Sequence, residues 1–300
     1  VQWLIQNQDH HRRNTILSWL SQASPALRQS EVFNSHQKGT GSWLLQTDQF
    51  QEWISGEGQI LFCPGIPGSG KTVLSSIIID HLEQVFPDGD DIGIAYLFCD
   101  HRQQQTLVEL YSALLRQAVQ RRSSIPERIE SLYESFWRKG TRPSAADILC
   151  ELRAILAPCT RAFVILDALD ECPVNDGNGS IRQPFLRELV RLQNEVGFNL
   201  LATSRPDQEI ASHLQSGDVV EIRAREEDIR HYVDARLDDL PSFVRKRPTL
   251  QQHIRDSITE TAKDMYAIPP LCLTEHYNCA HIRQVSPCAT LFQPATRRNK

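Results

Sequence analysis

The sequence holds no apolar stretch of the length that spans a bilayer; Ile77-Ile78-Ile79 is far too short. No secretory signal opens the chain. Eight cysteines are present but no C-x-x-C pair, which predicts reduced thiols in a cytoplasmic protein. Cys63 and Cys99 read as small apolar core residues, and Cys150, Cys159 and Cys172 also fall in or beside predicted elements. Cys272, His276, Cys279, His281 and Cys288 cluster near the end, at a spacing that fits no zinc pattern. Basic excess is absent too. A net charge of −5 argues against a nucleic-acid binder, whose footprint is a basic face. No internal repeat is visible, and 40% hydrophobic with 23% charged residues is the balance of a globular chain.

What is present begins at Gly65-Ile66-Pro67-Gly68-Ser69-Gly70-Lys71-Thr72, a complete G-x-x-x-x-G-K-[ST] phosphate-binding loop. Ile60 to Cys63 before it reads as a buried strand, and Val73 to Leu82 after it as a helix. The loop needs that order. Glycines let the backbone approach phosphates, and amides of the loop and helix N-terminus, Gly65 to Val73 apart from Pro67, then point at the anion. Lys71 is the candidate for the β and γ phosphates, and Thr72 for Mg²⁺.

Phe163-Val164-Ile165-Leu166-Asp167 is a second apolar run, ending in an acid. Ligands of open α/β sheets bind at the C-terminal ends of the strands, so Asp167 is the candidate Walker B acid, holding Mg²⁺ through water. Asp170 and Glu171 follow closely, and acids this dense need a cation or basic partner. Either could orient or deprotonate an attacking water, with Glu171 preferred; the alternative is that both only cap the next loop or helix. Leu200-Leu201-Ala202-Thr203-Ser204-Arg205-Pro206 reads as another strand ending in a polar cluster. Arg205 is the candidate γ-phosphate sensor, against the plainer reading of a solvated cation.

Further strands are predicted at Ile92 to Cys99, Phe198 to Thr203 and Val219 to Ile222. Helices are predicted at Asn14 to Leu20, Thr106 to Arg122, Pro126 to Lys139, Ala145 to Leu156 and Phe185 to Val196, with another helical region from Glu226. A polar linker is expected from Leu20 to about Lys38. Asp176 to Ser180 reads as a solvated loop. Alternating strands and helices predict an α/β fold with a parallel sheet covered on both faces.

GIPGSGKT, FVILDALDE and LLATSRP together resemble the NACHT-type P-loop NTPases of the STAND class, above all the fungal group with a nephrocystin-like N-terminal NTPase domain. Gly39-Thr40-Gly41-Ser42-Trp43-Leu44-Leu45, Phe50, Trp53, and Asp228 to Val233 resemble the same group. The resemblance implies a P-loop NTPase three-layer sandwich with strand order 5-1-4-3-2 and the start of a helical lid. It implies ATP/ADP and Mg²⁺ as ligands, and a switch between resting and assembly-competent forms. It also implies that Gly39, Thr40 and Gly41 border the base, whereas Trp43 and Trp53 read as packing on the sheet edge. No N-K-x-D base-reading motif is evident, which leans to ATP.

The expected layout is a helical lead-in and linker over 1–38, the NTPase domain over 39–224, the lid start over 225–265 and an irregular tail over 266–300. After Met265 the family pattern stops; Pro269, Pro270, Pro287 and Pro294 oppose a long helix, and the chain reads as truncated, without the family's later modules. The functional expectation is a switch module with slow Mg²⁺-dependent hydrolysis, possible self-association through the NTPase domain, an unidentified effector, and neither nucleic acid nor membrane as partner. The competing readings are a scaffold without regulated turnover, a small-molecule kinase and a nucleic-acid translocase.

Overall fold

The computed structural model describes residues 2–102, 105–174, 181–237 and 242–264. The chain divides into two compact units at Arg223/Ala224.

The first unit is built on a five-stranded parallel sheet: β1 (Ile60–Pro64), β2 (Ile92–Phe98), β3 (Arg161–Asp167), β4 (Asn199–Ser204) and β5 (Asp218–Val219). Its order is β2-β3-β4-β1-β5, which is the expected 5-1-4-3-2 read from the other edge. The strands are nearly continuous apolar runs because both faces of the sheet are covered. Ile60 and Phe62 of β1, Val164 and Leu166 of β3, and Leu200 and Ala202 of β4 enter one core. Their neighbours Leu61, Cys63, Phe163, Ile165 and Leu201 enter the other. This is the two-residue period of a strand, with apolar demand on both sides.

On the first face lie α1 (Gln2–Leu20), α5 (Leu107–Gln120), α7 (Ala145–Leu156) and α8 (Arg182–Val196). Helix α5 starts at a capping box in which Thr106 and Glu109 satisfy each other's backbone amides, and α7 starts at the same device made by Ser144 and Asp147. Helix α6 (Glu127–Lys139) begins after Pro126 and stops at Gly140, whose φ of 63° is left-handed. On the second face lie α3 (Asp48–Ser55) and α4 (Lys71–Val85). Trp53 is buried there as expected, its Nε1 donating to the Leu200 carbonyl at 3.0 Å, and Trp43 packs half-buried against the same core.

The expected linker before Lys38 is not one. Helix α2 (Pro25–Ser35) occupies it, opened by proline at its first turn. It packs on α4 and β2, and its buried Gln29 donates to the Ser76 carbonyl at 3.4 Å. Helix α1 likewise begins well before Asn14. The fifth strand is shorter than Val219 to Ile222, yet its pairing continues: Val220 donates to the Phe62 carbonyl, Ile222 to Pro64, and Ile222 forms an isolated bridge with Gly65. Helix α9 (Gln208–His213) joins β4 to β5.

The second unit contains α10 (Glu226–Leu237), α11 (Ser242–Arg245) and α12 (Pro248–Asp264). Ile229, Val233, Leu237, Val244, Leu250, Ile254 and Ile258 form its own core. Residues 266–300, including the Cys/His cluster, lie outside the described residues, as does the whole loop Asp176 to Ser180.

Candidate nucleotide site

The predicted loop sits where β1 ends and α4 begins. Gly65 is fixed from both sides: its amide donates to the Ser204 carbonyl at 3.0 Å, and its backbone bridges Ile222. A Cβ at this position would lie 2.5 Å from Ser69 Oγ and 2.7 Å from the Ile222 carbonyl, so only glycine fits. Gly70 holds a φ of 94° directly before α4, which turns the chain into the helix. Ile66 is exposed at the tip.

Lys71, in the first turn of α4, folds back over the loop. Its Nζ donates to the carbonyls of Gly65 at 2.8 Å and Ile66 at 3.0 Å. Burial holds its pKa below the ordinary lysine value, opposed by the charges of Asp170, Asp167 and Glu171 and reinforced by Arg205. All five predicted charged site residues therefore meet in one electrostatic field. Ser69 Oγ is buried in the loop without a protein partner.

Asp167 is fully buried at the end of β3. Ser75 and Thr203 hydroxyls both donate to its Oδ1 at 2.8 Å. Burial pushes this carboxyl above the usual range, while Thr72, Thr203, Ser75 and Lys71 pull it back. The two predicted metal-binding residues, Thr72 and Asp167, are thus adjacent although 95 positions separate them. Thr203 has a double role: its hydroxyl also accepts the Ala168 amide at 2.9 Å. Ala168 is the sole non-glycine residue with positive φ among the described residues, at 56°. Thr203 thereby pins the turn that carries Asp170 and Glu171.

Arg205 is not a lone solvated cation. Its amide donates to Asp170 Oδ1 at 2.9 Å and its Nε to Asp170 Oδ2 at 2.9 Å. Glu171 is more open, 4.0 Å from Arg205 and with Oε2 3.3 Å from His101 Nδ1. A cavity of about 460 Å³ lies beside these groups, lined in part by Thr72, Asp167, Glu171, His101 and Arg28. Ser75, Thr203 and His101 were not among the residues picked out from the sequence for chemistry. Ser75 is marked by its offset of three from Thr72, one helical turn on the same side of α4. His101 carries no such mark.

Gly39, Thr40 and Gly41 form a tight turn, with the Thr40 hydroxyl donating to the Gln37 carbonyl at 2.7 Å. Gly41 has a φ of 77°, and a Cβ there would lie 2.7 Å from Ile77 and 2.9 Å from Leu74 of α4.

A phosphate-type loop between β1 and α4, a buried acid at the end of β3 and a parallel 2-3-4-1-5 sheet define a P-loop NTPase-like domain. The chain belongs to the nephrocystin 3, N-terminal family, whose profile matches residues 39–205. It is 31% identical over 142 residues to vegetative incompatibility protein HET-E-1 of Podospora anserina, a stretch that is 45% of this chain and 10% of that protein. The chain therefore spans a small fraction of that relative. Among solved structures, the Aeropyrum pernix ORC2 protein in its ADPNP-ADP complexes has a TM-score of 0.47 at 15% identity, over 83% of this chain and 71% of that one. AMPPCP-bound DnaA from Aquifex aeolicus has a TM-score of 0.42 at 14% identity, over 84% and 70%. Likeness at this level is too low to carry function.

Proposed function

We propose that this chain is an ATP- and ADP-binding switch module of the STAND type, which hydrolyses ATP slowly with Mg²⁺ and couples its nucleotide state to assembly or signalling. The observation that carries the reading is the gathering of Lys71, Thr72, Asp167, Asp170, Glu171 and Arg205 at one end of the sheet. Residues Gly65, Ile66, Pro67, Gly68, Ser69, Gly70 and Val73 supply the backbone around the phosphates, and the orphaned Ser69 hydroxyl gains a partner there. Lys71 exchanges two carbonyls for phosphate oxygens. Thr72 and, through water, Asp167 hold Mg²⁺, which when bound neutralises charge on the phosphates. Glu171 orients or deprotonates the attacking water, with Asp170 beside it.

Arg205 gives the switch its chemistry. Engaging a γ phosphate means leaving Asp170, one anion exchanged for another, so triphosphate and diphosphate favour different positions of this side chain. Self-association through the NTPase domain and an effector beyond it complete the reading, in a cytoplasmic setting. No described helix is long and apolar enough to cross a membrane.

The test is nucleotide binding by the full chain and by Lys71→Ala, with and without Mg²⁺. ATP and ADP binding that falls sharply in the variant supports the reading. Folded wild type that binds neither leaves the loop as a structural turn and the chain as a scaffold.

A further inference from the structure

The end of β2 and the turn after β3 bring three metal-ligating side chains together. Phe98 pairs with Asp167 across these strands, and the Cys99 amide donates to the Asp167 carbonyl at 3.0 Å. That register sets Asp100 and His101 opposite Glu171. His101 Nδ1 is 3.3 Å from Glu171 Oε2 and 3.9 Å from Asp100 Oδ1, and one ligand atom from each of the three falls within 4.8 Å of the others. We propose that Asp100, His101 and Glu171 form a binding site for a divalent transition-metal ion of the zinc class.

The argument is metric and chemical. A tetrahedral ion with bonds of about 2.0–2.1 Å holds its donors roughly 3.3 Å apart. The imidazole and the Glu171 carboxylate already stand at that separation. Asp100 Oδ1 stands 3.9 Å from the same imidazole nitrogen and has to move inward to complete the set. One imidazole with two carboxylates is a three-ligand set that suits zinc, cobalt, nickel or copper. It does not suit Mg²⁺, which asks for an octahedron of oxygens. All three residues line the cavity that Thr72 and Asp167 also line, so the remaining coordination position opens on that space. Two cations stand nearby. Arg102 donates its amide and Nε to Asp100 Oδ1, at 2.9 and 3.1 Å, and Arg205 is 4.0 Å from Glu171 Oε1. The Arg102 guanidinium is 76% exposed and turns into solvent without loss of packing; Arg205 addresses the other Glu171 oxygen.

The ion would take Glu171 Oε2 out of reach of water. A zinc-class ion would then inhibit turnover, a consequence that rests on the role given to Glu171 above, whereas the site itself does not.

Cobalt(II) tests the site through its visible absorption. The full-length wild type and His101→Ala are titrated with Co²⁺ in a large excess of Mg²⁺, which occupies oxygen-only sites, and Zn²⁺ is added last to displace cobalt. Cysteines and histidines after residue 265 are unchanged in the variant, so the readout is the difference between the two proteins. His101 is 69% exposed, and a circular-dichroism melt verifies that the variant folds. The expected result is one equivalent of Co²⁺ bound by wild type and displaced by Zn²⁺, with affinity about a hundredfold lower in His101→Ala and likewise in Glu171→Gln. Equal cobalt uptake by wild type and His101→Ala overturns the site. Uptake as expected, with Zn²⁺ leaving ATP turnover unchanged, keeps the site and removes Glu171 from the hydrolytic step. Wild type that binds cobalt but no nucleotide keeps the site and overturns the nucleotide reading alone.

Discussion

Arg205 clasps Asp170 with two different donors, its backbone amide to Oδ1 and its Nε to Oδ2, both at 2.9 Å. The pair joins the end of β4 to the turn after β3, so it braces two of the strands whose ends carry the site. Asp170 is largely buried, while the Arg205 side chain is half exposed. Solvent screening limits the pair to about 1 kcal/mol of stability. Under the proposed reading its consequence for turnover is larger, because a cation facing the γ phosphate would act on charge that develops in the transition state. Arg205→Ala is expected to lower ATP turnover by about 10²-fold while shifting the melting temperature by only a few degrees. Single-turnover kinetics beside thermal denaturation measures both. A large loss of stability with turnover intact would make the pair a brace only.

Burial makes Trp53 the keystone of the second face. Its ring lies between Phe50 and Phe163, at centroid distances of 5.6 and 5.4 Å, and its Nε1 reaches the Leu200 carbonyl. Trp53→Ala is expected to cost about 3–5 kcal/mol. Trp53→Phe keeps much of the apolar volume but forfeits the hydrogen bond, and is expected to cost about 1–3 kcal/mol. Urea denaturation of the two variants orders them. A Phe variant as unstable as Ala would show that the retained ring volume contributes little and that the indole with its donor governs the site, whereas a Phe variant as stable as wild type would make the hydrogen bond idle.

The sequence made the strands legible because a sheet covered on both faces leaves continuous apolar runs, and the loop legible because phosphate binding restricts residue types. Asp167 was legible as the acid ending such a run. Helix α2 was not. Its sequence offers little apolar period, and beside Val32 and Phe33 it docks through Gln29 on the Ser76 carbonyl, a polar contact that no hydrophobic pattern reports. The early turns of α1 run through Asp9, His10, His11, Arg12 and Arg13, which leave no stripe to read. Arg205 was visible as a cation, but its partner depended on the turn geometry set by Ala168. His101 lies 70 positions from Glu171, and only the pairing of β2 with β3 brings them together.

The Cys63 thiol, wholly buried in β1, is pushed up to about 12 by desolvation. An unfolded chain ionises this group near the ordinary cysteine value, so the folded state binds the extra proton between the two values. Stability from this source is full below the unfolded pKa, near 9, and is lost as pH rises through the folded one. Tyr96 and Tyr111, raised by burial, act in the same direction at higher pH. The expectation is a melting temperature that falls above about pH 9, and less steeply in Cys63→Ala. In thiol labelling at about pH 8, Cys150 should react while Cys63 stays protected until global unfolding. Rapid labelling of Cys63 in the folded chain would contradict its burial.

Thr203 is the hinge between scaffold and chemistry, because one hydroxyl serves two groups. It donates to Asp167 and accepts from Ala168, whose φ of 56° is otherwise unfavourable for a residue with a side chain. Thr203→Val keeps the shape and removes both bonds. The buried carboxylate then loses one of its donors, and a buried amide is left without its acceptor, at a cost of about 1–3 kcal/mol. The turn carrying Asp170 and Glu171 loses its tether as well, so turnover should fall more than nucleotide affinity. Thr203→Ser retains the hydroxyl and should recover most of both. If Thr203→Val matches the wild type in melting temperature and turnover while Thr203→Ser falls below it, the β-methyl packing of Thr203 governs the turn, and the hydroxyl relay from β4 to β3 is idle.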